Sequence, residues 1–531
     1  MEQKTLYYGG NILTMDDHFQ GQGVLAQGAL ILGVGELSQL KAQAGDCTVV
    51  DLKGKTLLPA FIDPHSHITS LARTVGLIHL AGAASFEELS ERIQRHMTEF
   101  APQPGEWVMG FGYDNNLMPG CRHPTRELLD RLCPDNPLLI SHASGHMGVA
   151  NSAALAALGI TDQTPDPDGG KIGREDGTKQ PNGYLEETAF TMLGSRLPQP
   201  DFAQLSKQIQ MAEKTYFRYG ITTIQDGLTR ESEWNLLKNM DQAGALTADV
   251  VAYINMVDSQ KVLEENQKYL HADGHLRIGG YKIFLDGSPQ GRTAWMSKPY
   301  LGEPADYTGY PIFSDQQVKE YIRTALDQQT QLLAHCNGDA AAEQFLRCCE
   351  EVQRETGKSI ASIHPVMIHA QLLRRDQLPR LVPLGMVPSF FVAHVYHWGD
   401  VHIQNFGMER AAFISPVHSA IQAGLSPTFH QDTPVISPDM METLWCAVNR
   451  IIRDGVVLGA QERISPWEGL KAITINAARQ YRQEDVKGTI APGKKADLVI
   501  LDRNPLTCPV HELKDIQVVT TIREGQVVYH A

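Results

Sequence analysis

Between residues 57 and 432 the chain repeats one theme. A short apolar run of four to eight residues, rich in β-branched side chains, is followed by a longer segment whose apolar positions recur at helical spacing. Eight such runs stand out: LLPAFID (57–63), GITTIQD (220–226), ADVVAYI (248–254), GGYKIFLD (279–286), QLLAH (331–335), PVMIHA (365–370), GMVPSFF (385–391) and LSPTFHQD (425–432). Helix-period stretches fill most of the gaps, among them FAQLSKQIQMAEKTYFRY, SDQQVKEYIRTALDQQ, AAAEQFLRCCEEVQRE and DMMETLWCAVNRIIRDG. Alternating strands and helices specify an α/β fold with a parallel sheet. Eight units predict a (β/α)8 TIM barrel, with chemistry at the carboxyl ends of its strands.

Both ends of the chain follow a different rule. TLYYGGNIL, GALILGVG and CTVVDLKGKTLL alternate apolar and polar residues between Gly and Asp turns, and the pattern returns in KGTIAPGKKADLVILDRNP and IQVVTTIREGQVVYHA. This predicts a small β-sandwich built from both termini, residues 1–58 and 476–531, around a barrel at 59–475. The gap between the first two barrel strands, about 68–200, is too long for one crossover helix and carries clusters such as TPDPDGGKIGREDG. It reads as an inserted cap over the barrel mouth.

With 531 residues, of which 42% are hydrophobic and 20% charged, the chain has ordinary globular composition and exceeds the size of one core. Forty-six basic against 61 acidic residues give a formal net charge of -15, which disfavours nucleic acid and anionic membranes. No stretch approaches a membrane span and the first residues lack a signal-peptide pattern, so a cytoplasmic protein acting on a small molecule is expected. A homodimer is left open. Eight scattered cysteines without a CxxC pair predict that most are plain buried thiols.

Candidate chemistry clusters at the predicted strand ends. His65 and His67, two positions apart, face the same way about 7 Å along the chain and suit a divalent metal; the alternative is a hydrogen-bonded loop. His335, His369 and Asp432 end other strands, and a barrel would bring all five side chains onto one rim. Lys282 sits inside GGYKIFLD. It is either paired with Asp286 or another carboxylate, or carboxylated so that it bridges two metals.

PAFIDPHSH, KIFLDGS, AHCNGDA, MIHAQ, HQDTPV and KGTIAPGKKADLVILDRNP occur in an order that resembles the amidohydrolase superfamily, in its amidohydrolase-3, or YtcJ-like, branch, which includes N-substituted formamide deformylases. SGHMGVANSAAL resembles part of that branch's insertion. The resemblance implies that His65, His67 and Asp432 hold one metal, that His335 and His369 hold a second, and that Lys282 bridges them as a carboxylysine. An unmodified Lys282 would leave a mononuclear centre. Zinc is the expected metal, one ion or two.

Ala60 replaces the glycine usual in PGFID, and His430 and Gln431 stand where smaller residues are common, which bears on the shape of that wall. The segment after the seventh strand adds His394, His397 and His402. The implied reaction is hydrolysis of a non-peptide carbon–nitrogen bond (amide, N-formyl or cyclic amide) by a metal-activated water, with Asp432 as catalytic proton shuttle. Lowering the pKa of water from about 15.7 to about 7 is worth on the order of 12 kcal/mol, the largest single effect available. Deamination or ester hydrolysis on the same site, and a non-catalytic regulatory barrel binding a small ligand, are the alternatives. His142, His146, Arg292, His394 and Trp398 are the expected substrate contacts, with Asn151 and Glu186 further candidates; Asp286 and Asp339 would orient imidazoles or the lysine.

Overall fold

The computed structural model describes residues 3–16, 21–191, 201–272 and 274–531. They divide into two compact units, residues 1–71 with 209–531, and residues 72–208.

The larger unit is organised by an eight-stranded parallel sheet whose strands follow one another in chain order: β1 (Phe61–Ile62), β2 (Ile221–Thr229), β3 (Asp249–Asn255), β4 (Leu276–Phe284), β5 (Gln331–Cys336), β6 (Val366–His369), β7 (Val387–Phe390) and β8 (Thr428–Phe429). Every neighbouring pair is parallel. All seven residues of β3 are buried, as expected for a strand covered on both faces. The sheet is curled and barrel-like. Beyond its two shortest strands, β1 and β8, the chain ends meet: His67 N–H donates to the Thr433 carbonyl at 2.9 Å.

Each of the eight expected apolar runs contains one strand of the parallel sheet, but LLPAFID serves two sheets. Thr56–Pro59 pairs antiparallel with Leu498–Leu501, while Phe61–Ile62 joins β2. Between them Ala60 donates its N–H to the Asp497 carbonyl and Phe61 donates to Gly220, so the backbone changes sheets at a buried small residue. The helix pattern in DMMETLWCAVNRIIRDG also runs past the observed helix, Met440–Asn449. Arg450 adopts a left-handed backbone, and its buried guanidinium donates to the carbonyls of Leu458, Ser415 and Ile414; Ile451 then bridges to Val457. Three carbonyl partners for the buried guanidinium outweigh continued helical periodicity.

Strands from both chain ends form two further sheets. One contains Leu30–Gly35, Gly23–Gln27, Lys4–Tyr8 and Thr48–Asp51; the other contains Asn11–Ile12, Thr56–Pro59, Leu498–Leu501, Val518–Arg523 and Gln526–His530. They share a core that includes Tyr7, Val24, Ile31, Leu57, Leu498 and Ile522. The terminal segments are tied to the parallel sheet by buried charge. Asp249, at the start of β3, accepts from Lys487, from Lys495 at 3.1 Å and from Arg523 at 2.6 Å, and Glu213 accepts the N–H groups of Thr247 and Ala248. Burial alone would raise the Asp249 carboxyl, but Lys487 and its neighbours hold it well below the carboxylate range.

The smaller unit carries its own sheet, in the order Gly170–Arg174, Pro181–Glu187, Met147–Ala150, Leu138–His142, Val108–Tyr113 and Leu77–His79. Its core joins Ile78, Leu89, Ile93, Leu129, Leu138, Ile140 and Val149. Within the span read from sequence as a cap, residues 192–200 lie outside the described residues.

Replacing Asp249 with Asn would leave Lys487, Lys495 and Arg523 facing one another in a buried place. A stability loss of about 3–5 kcal/mol is expected, read as a lower midpoint in denaturant unfolding. The wild-type contribution is present above the unfolded carboxyl pKa of about 3.9 and is lost as pH falls through the depressed folded value, so the difference between the two proteins should shrink in acid.

Candidate metal centre

The strand ends of the curled sheet bring six chemically active side chains together. His65 and His67 follow β1 in DPHSH, where the Asp63 carboxylate accepts the His65 N–H at 3.1 Å. Gln225 of β2 donates to the Pro64 carbonyl at 2.6 Å, as does Gln480 at 2.8 Å, and Tyr481 donates to the Asp63 carbonyl at 2.7 Å. This scaffold fixes where the two imidazoles emerge. Their ring centroids are 5.2 Å apart. His335 lies near the end of β5, His369 is the last residue of β6, and Asp432 follows β8. His369 and Asp432 both take positive φ, 70° and 54°. Such backbone costs on the order of 1–3 kcal/mol and collects at functional sites.

Asp432 Oδ1 lies 3.2 Å from both His65 Nε2 and His67 Nε2, and Oδ2 lies 3.9 Å from His369 Nε2. Lys282 Nζ is 3.4 Å from His65 Nε2, and His335 Nδ1 is 3.1 Å from His369 Nε2. The ligating atoms of His65, His67 and Asp432 fall within 4.8 Å of one another.

Tautomers can be assigned from partner chemistry. Since Gln225 uses its NH2 on Pro64, its oxygen faces His65 Nδ1 at 2.6 Å, so Nδ1 carries the hydrogen. His65 Nε2 therefore presents a lone pair to a carboxylate oxygen that is buried and makes no hydrogen bond. Two electron-rich atoms at 3.2 Å repel, and a cation between them reverses the sign. The residues fit a divalent metal.

Burial governs the charges. It takes the His65 pKa down to about 4 and that of His335 to about 3, with the Lys282 ammonium adding to both, and it places His369 and His430 well below the imidazole range. Neutral imidazole is the form a metal requires. Burial brings Lys282 down to about 7 against the pull of Asp432.

Around this cluster Asp286 accepts N–H groups from Asn337, Gly338 and Trp295, with Oδ1 3.6 Å from His335 Nε2; burial raises it to about 7. Asp339 instead accepts from Ser297 and pairs with Arg374. His394 meets Phe391 edge to face, lies tilted against Trp398 and turns Nδ1 to His402 at 3.1 Å. His397 bonds Glu442 at 2.8 Å. Arg292 is occupied by Glu303 and by Asn405 at 2.8 Å. His142 and His146 belong to the smaller unit, where His142 Nδ1 meets Ser144 at 2.9 Å and His146 pairs with Glu187 at 3.0 Å. Asn151 there caps the helix Ser152–Ala157, and Glu186 accepts from Tyr184.

Sequence reasoning did not find Gln225, Ser389 or the place of His430, whose partners lie 160, 41 and 61 residues away in the chain. It also passed over Gly227. A Cβ there would stand 2.6 Å from His65 Cε1 and 2.9 Å from Nδ1. Gly227→Ala should push the His65 ring off Gln225 at an overpacking cost of about 1–3 kcal/mol. A crystal structure of the variant, with a melting curve, checks both.

Residues 48–529 match the profile of the amidohydrolase family. The chain is 29% identical to the N-substituted formamide deformylase of Arthrobacter pascens, over 98% of this chain and 97% of that one, and 26% identical to YtcJ of Bacillus subtilis (strain 168), over 99% of both. A metal-dependent hydrolase from Pyrococcus furiosus, described as uncharacterized, superposes with a TM-score of 0.73 at 25% identity, covering 95% of this chain and 100% of that one. The match in sequence runs nearly end to end and the match in shape includes the sheet that carries the cluster: the chain belongs to the amidohydrolase family.

Proposed function

We propose that the protein is a metal-dependent hydrolase of non-peptide carbon–nitrogen bonds, acting on an amide, N-formyl or cyclic amide group, with one or two zinc ions at the strand ends. The observation that carries this is Asp432 Oδ1, a buried carboxylate oxygen without a hydrogen bond, set against the lone pair of His65 and beside His67. Full-length similarity to a formamide deformylase supports the choice of bond. In this reading the barrel is closed and spans 59–475, and the terminal sheets form a sandwich from 1–58 and 476–531.

His65, His67 and Asp432 would hold one ion, and His335 and His369 a second. Lys282, buried and held near neutrality, is suited to taking up carbon dioxide on its free amine and bridging the two. A divalent ion bound here supplies Lewis-acid polarisation of a carbonyl and a lowered pKa for water. Asp432 accepts the water proton on a carboxylate oxygen and delivers it to the leaving nitrogen. Phe391, His394 and Trp398 offer an aromatic wall for the substrate. Arg292 would have to exchange Glu303 to bind a substrate carboxylate.

Deamination and ester hydrolysis use the same groups, and a panel of N-formyl amines, amides, lactams, aminopurines and esters separates them. Chelation should abolish turnover, and added zinc, manganese or cobalt should restore it. Asp432→Asn should lower kcat about 10²–10⁴-fold with metal retained, as measured by elemental analysis. Turnover undiminished by either treatment would remove the proposal.

A further inference from the structure

A chain of nitrogens continues outward from the centre. His335 Nδ1 is 3.1 Å from His369 Nε2, His369 Nδ1 is 3.0 Å from His430 Nε2, and His430 Nδ1 is 2.8 Å from Ser389 Oγ. His430 and Ser389 are fully buried, so no solvent competes for these contacts. One end is fixed. His335 Nε2 lies 3.1 Å from the Gly287 carbonyl, which can only accept, so Nε2 carries the hydrogen and Nδ1 the lone pair. Asn337 Nδ2 is 3.0 Å from the same nitrogen but donates to that carbonyl at 2.8 Å. The other end is free to choose, because a serine hydroxyl both donates and accepts.

Two polarities are therefore open: one satisfies every link, and the other satisfies all but the link between His369 and His335. In the first, Ser389 donates to His430, His430 Nε2–H to His369, and His369 Nε2–H to His335. In the second, His369 carries its hydrogen on Nδ1 and donates to His430 Nε2, and His430 Nδ1–H donates to Ser389; His369 Nε2 and His335 Nδ1 then both present lone pairs to the same point. Each ring holds one hydrogen and the hydroxyl one in both arrangements, so the exchange is neutral.

We propose that His430 and Ser389 are positioning residues that let His369 switch tautomer, so that it can bind a metal through Nε2 while keeping its hydrogen bond to His430 and without a change of charge. The inference rests on the reading of His335 and His369 as metal ligands. An imidazole whose second nitrogen is left unpaired in a buried site incurs a desolvation cost, which is why such outer partners affect affinity.

The test uses the full-length protein, stripped by chelator and titrated with zinc and cobalt against a chromophoric competitor, with the cobalt absorption band as a second readout. Gln at position 430 extends its amide to where Nε2 stands, whereas Asn reaches only as far as Nδ1. His430→Gln should bind within about threefold of wild type, His430→Asn and His430→Leu about 10–100-fold more weakly, and Ser389→Ala about tenfold more weakly. The cobalt band should shift in the weak variants and not in His430→Gln. A merely space-filling histidine would leave the Gln and Asn variants alike. Wild-type affinity in the Asn, Leu and Ser389→Ala proteins removes the relay alone; should the Leu variant fail to fold, the Gln and Ser389→Ala comparison decides in the same way. A wild-type chain that takes up neither ion removes the metal-centre reading and the relay with it.

Discussion

The contact on which this structure depends is the meeting of one carboxylate with two imidazoles where the first and last strands of the parallel sheet end. Asp432 comes from beyond β8, His65 and His67 from beyond β1, and the 2.9 Å bond from His67 to Thr433 holds the two chain segments together. Atoms separated by more than 360 residues thus come together beyond the ends of the two edge strands.

Assembling so many nitrogens in a dry place has a cost, visible in how far burial moves the imidazoles from their solution behaviour. The structure offsets it by giving nearly every polar atom a fixed partner: Gln225 for His65, Gly287 for His335, His430 for His369. Among the ligating atoms Asp432 Oδ1 is left without a hydrogen bond. A buried acceptor left unsatisfied at such a place marks where the fold retains strain for the sake of chemistry. The left-handed backbone at His369 and Asp432 belongs to the same pattern.

Much of this was legible in the sequence. Burial on both faces writes a parallel strand as an unbroken apolar run, so all eight runs could be read, and rim residues could be read from their position at the end of each run. What could not be read depends on distance in three dimensions. LLPAFID looks like one strand because both of its halves are buried, yet the halves belong to different sheets. Gly23–Gln27 was missed because GVLAQ shows no alternation, four of its five residues being buried. Arg450 ended a helix early because a buried guanidinium took three carbonyls the helical pattern does not announce. His430 drew notice only as bulk in a wall; its role emerges from a ring on β6 and a hydroxyl on β7.

The change of sheet at Ala60 couples parts of the molecule that look separate. Five residues of backbone connect the strand paired with Leu498–Leu501 to His65, and none of the five is free to absorb slack: Phe61 and Ile62 are in the parallel sheet, and Asp63 and Pro64 are pinned by Tyr481, Gln225 and Gln480. The terminal module is in this sense a tensioner for the imidazoles. Trimming it as dispensable decoration would slacken the very segment that aims them.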